Sequence, residues 1–118
     1  MSKYKEIQTQ INRSEILKKT LTNLGLTFTE DEIGTIVLND NTLKKVSGTY
    51  WWRPVQFVRN GDNFKLVVDD MDEKSSMINK IKQSYAIDAL EDELRYAGWN
   101  IIELMKDNSG TVRMRVGK

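Results

Sequence analysis

The chain contains no histidine, no cysteine, a single proline, and no stretch of apolar residues approaching the roughly 20 that cross a bilayer. Each absence closes a class of function. Without imidazole there is no side chain whose ordinary pKa lies near neutrality, and Ser or Thr has no histidine base to activate it. Without cysteine there are no disulfides, thiolate nucleophiles, iron–sulfur ligands or zinc ribbons. Charge of one sign is missing too. Eighteen basic and 17 acidic groups leave a net charge of +1, so no whole-molecule field draws nucleic acid or anionic lipid, and such binding needs a local patch. Neither a Gly-rich phosphate loop nor a nucleophile elbow is present, and no carboxylate pair sits in an apolar context that would raise its pKa. The first residues are polar and mixed in charge, unlike a signal peptide, which leads to the expectation of a soluble intracellular protein.

What is present suits one domain over residues 1–118, with 39% hydrophobic and 30% charged residues. Between Tyr4 and Ile11, Ile7, Thr9 and Ile11 alternate with Gln8 and Gln10, the period of a first strand. Asn12 then suits a helix N-cap with Glu15 three residues on. Ile16, Leu17, Leu21 and Leu24 mark the buried side of that helix, and Gly25 ends it. Two short strands follow, Leu26 to Thr29 and Ile33 to Leu38, separated by the acidic turn Glu30-Asp31-Glu32. The Asn39-Asp40-Asn41 cluster stops the second strand, and Thr42 to Thr49 reads as loop.

Arg59-Asn60-Gly61-Asp62 separates two alternating runs, and Asn-Gly suits the centre of a type I′ hairpin. Counting outward from it places Arg59 opposite Asp62, Phe57 opposite Phe64 and Val55 opposite Leu66, with Pro54 on an edge or at the strand's start. The acids Asp69, Asp70, Asp72 and Glu73 lead into the longest helix, Ser75 to Ala97. Its apolar stripe starts with Ile78, Ile81, Tyr85 and Ala89 and widens to include Ala86, Leu90 and Leu94. Gly98 closes it. A last hairpin, Trp99 to Met105 and Thr111 to Val116, turns through Asp107 to Gly110. The expected fold class is α+β: a mostly antiparallel sheet with two helices packed on one face.

Three clusters are candidates for function. Tyr50-Trp51-Trp52-Arg53 is the most unusual. In a strand the two indoles point to opposite faces, so one enters the core and the other, beside Arg53, is left to stack on a partner. Arg113 and Arg115 alternate with Val112, Met114 and Val116, and with Lys118 they form a basic stripe able to meet phosphates; Glu103 on the partner strand opposes it. The acids from Asp69 to Glu73 have oxygen donors but lack the spacing of a calcium loop, and stabilising the N-terminus of the helix is the simpler role for them. Lys82, Tyr85 and Asp88 approach one another on the long helix.

Several short motifs resemble one known family. They are Ile7-Gln8-Thr9-Gln10-Ile11, Leu24-Gly25, Asn60-Gly61 followed by Phe64-Lys65-Leu66-Val67, Ile81-Lys82-Gln83-Ser84-Tyr85-Ala86, Gly98-Trp99, and Gly110-Thr111-Val112-Arg113. Together they are similar to the plastid and cyanobacterial family called Ycf thirty-five, or domain of unknown function twelve fifty-seven. Residues 27–53 stand outside the resemblance, and Lys3 occupies a position where such proteins commonly carry histidine. The resemblance implies no assigned activity. It implies a compact accessory protein of the cytoplasm or plastid stroma.

Three functions remain on these grounds. The leading one is a non-enzymatic protein-binding or regulatory domain whose unidentified protein partner meets Trp51, Trp52 and Arg53, with the stretch from Tyr50 to Pro54 offering a strand edge. The second is an RNA-binding or other nucleic-acid-binding module using Arg113, Arg115, Lys118 and one tryptophan. The third is a ligand- or metal-binding enzyme subunit built on carboxylates and Tyr85. No catalytic residue, metal site, cofactor or membrane contact is assigned, and the oligomeric state is left open.

Overall fold

The computed structural model describes residues 4–51, 53–70, 72 and 75–98, together with the backbone strands 100–106 and 112–117. Lys3, Trp52, Glu73, Trp99, the turn 107–111 and Lys118 lie outside the described residues. In chain order the elements are β1 (Tyr4–Gln8), α1 (Ser14–Asn23), β2 (Phe28–Glu30), β3 (Ile36–Leu38), α2 (Asp40–Ser47), β4 (Gln56–Asn60), β5 (Asn63–Asp69), α3 (Ser76–Tyr96), β6 (Asn100–Lys106) and β7 (Val112–Gly117). The first five strands form one antiparallel sheet in the order β1-β5-β4-β3-β2, and β6 and β7 pair as a separate two-stranded sheet. The fold is α+β, with three helices among the described residues where the sequence pattern suggested two.

Residues directly opposite in an antiparallel ladder share a face. One row across the sheet is therefore Ile7, Leu66, Phe57 and Ile36. With Phe64, Val68, Val55 and Leu38 it forms the sheet's side of the core. The helices supply the other side: Ile16, Leu17 and Leu21 from α1, Leu43 from α2, and Ile78, Ile81 and Tyr85 from α3. The opposite face of the sheet carries Glu6, Gln8, Gln56, Val58, Lys65 and Val67, all exposed or half-buried, as befits an antiparallel sheet wet on one side.

Three local readings need correction. The stretch taken as loop, Thr42 to Thr49, belongs mostly to α2, and the Asn39 that ends β3 is also its cap. Asn39 Oδ1 accepts from the N–H groups of Asn41 and Thr42, and Gly48 closes the helix in the left-handed region at φ +73°. An Asn-rich cluster stops a strand and starts a helix by the same hydrogen bonds, so composition alone could not separate the two.

The β4–β5 turn centres on Gly61-Asp62, one residue later than Asn60-Gly61. Gly61 has φ +64° and no described non-glycine residue has a positive φ, so only the first central position is left-handed, as a II′ turn requires. Phe57 consequently faces Leu66 and Arg59 faces Phe64, with the Arg59 guanidinium 4.6 Å from the Phe64 ring centroid. A register offset of this kind keeps every side chain on its anticipated face, because the side-chain period is two.

Asn12 is not the cap of α1. Arg13 holds that position without a side-chain capping hydrogen bond, and Asn12 instead engages Tyr85. α3 takes its cap from Ser75, whose hydroxyl accepts from the Met77 N–H.

Candidate functional site

β1 ends at Gln8, but alternate burial continues through Thr9 and Ile11. Thr9 causes the break. Its hydroxyl donates to the Phe64 carbonyl and accepts from the Ile11 N–H, so the chain leaves the ladder and rejoins β5 at Ile11, whose carbonyl takes the Phe64 N–H at 2.7 Å. Two residues are thus looped out between the bonded positions, as in a bulge. Asn63 Nδ2 donates to the Thr9 carbonyl and Arg59 to the Asn12 carbonyl. From the helix side, the Tyr85 hydroxyl accepts from the N–H groups of Asn12 (3.2 Å) and Arg13 (3.1 Å) and donates to Asn12 Oδ1.

This segment is therefore fixed on both sides. Gln10 is the exception: neither its N–H nor its C=O is bonded within the described protein.

Between that segment and α3 lies a groove of about 530 Å³. The helix lines it with Lys82, Tyr85, Ala86, Ala89, Leu90 and Glu93, at the three- and four-residue spacing of one helical face. Its floor is apolar, from Ile11, Tyr85, Ala86, Ala89 and Leu90, and its rim is polar, from Gln8, Gln10, Asn12 and Arg13. Ala86 and Leu90 (40% exposed) are the widened part of the apolar stripe. They line the groove, while Ile78, Ile81 and Tyr85 of the same helix pack in the core.

At one wall Arg13 bridges two acids, Asp92 at 2.8 Å and Glu15 at 3.1 Å. The hydrogen bonds that Arg13 donates to Asp92 and then to Glu15 raise its pKa. Glu15 is lowered, first by its own backbone N–H at the start of α1 and then by Arg13. Lys82 and Glu93 have no ion pair among the described residues. Asp88, expected beside Lys82 and Tyr85, turns to α1 and accepts from the Thr20 hydroxyl at 2.6 Å. Among the described residues no three acidic side chains come together as a metal site.

The other candidates are spread over the molecule. Trp51 is in the core at 8% exposure, its indole N–H donating to Ser47 Oγ at 2.9 Å. Tyr50, Trp51, Arg53 and Pro54 are not in a strand, so the expected edge from Tyr50 to Pro54 is not found among the described residues, and β4 begins at Gln56. Among the described residues of this cluster, Tyr50 is exposed, at 74%. Arg53 Nε lies 3.2 Å from Asp69 Oδ2, a fully buried carboxylate, and the guanidinium covers the Tyr4 ring at 4.8 Å. Tyr4 is paired with Asp69 in the ladder, so Arg53 clamps the β1–β5 end. In β7 the register sets Arg113 opposite Met105 and Arg115 opposite Glu103.

A family model described as a protein of unknown function, DUF1257, matches residues 20–115. The chain belongs to this family. The matched span includes α3 and therefore the helical side of the groove, while the wall formed by Gln8 to Arg13 precedes it. No curated protein and no solved structure matches the chain. No described helix is long and apolar enough to cross a membrane.

Proposed function

We propose that this DUF1257 member is a non-catalytic domain that docks a protein partner in the groove between the β1–α1 segment and α3. One observation carries the reading: an apolar floor beside a wall already immobilised by the Tyr85, Asn63 and Arg59 hydrogen bonds. A preformed site of this kind loses little conformational freedom on binding, which is where affinity is usually lost. The partner's contacts therefore move from the Trp51, Trp52 and Arg53 cluster to Ala86, Ala89 and Leu90.

Selection of a random peptide library displayed on phage tests this. Clones recovered on the wild-type protein should be lost on Leu90→Glu, whose side chain is exposed enough to be changed without unfolding the domain, and kept on Tyr50→Ala. Recovery of the same clones on Leu90→Glu, or of none on wild type, contradicts the proposal.

A further inference from the structure

β1 is an edge of the main sheet among the described residues, and Gln10 just beyond it lines the groove and has an N–H and a C=O with no hydrogen bond within the described protein. A backbone donor and acceptor left open beside an apolar floor are satisfied most completely by another extended backbone. The charges define what that backbone carries. Lys82 and Glu93 are eleven residues apart on α3, which returns them to one face within about 20° and separates them by roughly 16 Å. Neither is ion-paired among the described residues. Side chains of one parity on an extended strand lie about 13 Å apart at four residues and about 20 Å at six, distances that the flexible Lys and Glu arms bridge.

We infer that the groove takes an extended segment of a partner protein by strand addition beside Gln10, with apolar side chains over Ala86 and Leu90, an acidic residue at Lys82 and a basic one at Glu93. This rests on the groove being the docking site. It adds the occupant's conformation and charge order.

The test is an NMR titration of the ¹⁵N-labelled chain with end-blocked peptides DTVTVTK and KTVTVTD, whose opposite charge orders cover both directions of strand addition. One of the two should shift Gln10 and the α3 resonances from Lys82 to Glu93. N-methylation of its central residue should weaken it at least about tenfold, by removing a backbone donor. Lys82→Glu should weaken it about two- to fivefold, the range of an exposed ion pair, and should strengthen KTVTVTK, which wild type binds less well. Strand addition is wrong if N-methylation is silent, if Lys82→Glu does not exchange the preference, or if neither peptide shifts Gln10. Concentration-dependent shifts at Gln10 without peptide would give the groove to a second copy of the chain and overturn the proposal as well. Groove docking itself survives any of these results provided the displayed clones still depend on Leu90; if they do not, both readings fall.

Discussion

Tyr85 shows how one hydroxyl shapes a surface. It serves two backbone N–H groups and one side-chain amide at the corner where β1 gives way to α1. Tyr85→Phe keeps the buried ring and removes only those bonds, so it should cost about 1–3 kcal/mol in a urea titration and speed amide exchange at Asn12 and Arg13. The sequence placed Tyr85 on the apolar stripe of the long helix, and its burial was legible from helical spacing. Its partners were not, because Asn12 lies 73 positions away and has the composition of an ordinary cap. Glu15 gives a pH signature at the same corner. Its folded pKa is lowered, so its contribution to stability is complete above the unfolded glutamate pKa and fades as pH falls through the folded value. An NMR titration should find the Glu15 midpoint below that of other exposed glutamates, and Arg13→Gln should raise it only in part, since the backbone N–H remains.

Among the elements, α2 and the β4–β5 hairpin mark where local sequence is decisive and where it is ambiguous. α2 has one fully buried anchor, Leu43, and depends on its ends. Asn39→Ala should therefore cost about 1 kcal/mol through loss of the cap, and Leu43→Ala about 2–5 kcal/mol through the cavity, both read from chemical denaturation. The hairpin was legible in position and face but not in register. Asn60-Gly61 and Gly61-Asp62 are both acceptable turn centres, and the choice is made by pairing across the strands, with Arg59 stacked on Phe64 and Phe57 beside Leu66. Trp51 was legible as half of a pair with one ring in the core only if the segment were a strand. The ring is buried all the same, through a hydrogen bond to Ser47 at the end of α2, an element the sequence pattern did not reveal.

For the whole molecule, β1 is an edge of the five-stranded sheet among the described residues, and the segment that follows it meets one face of α3 at the groove. In the sequence the apolar stripe of α3 signalled only its own widening, and the structure shows that Ala86 and Leu90 line the groove. Its partner wall had no such signal, because Gln8 to Arg13 is polar and its shape comes from Thr9 bending the chain out of the ladder. The most direct measurement of the central claim is therefore the peptide titration of the ¹⁵N-labelled chain, with Leu90→Glu as its control. Groove docking by strand addition predicts saturable shifts at Gln10 and along Lys82 to Glu93 that vanish in Leu90→Glu. Shifts centred on Tyr50 and Arg53, or shifts unchanged in Leu90→Glu, would contradict it.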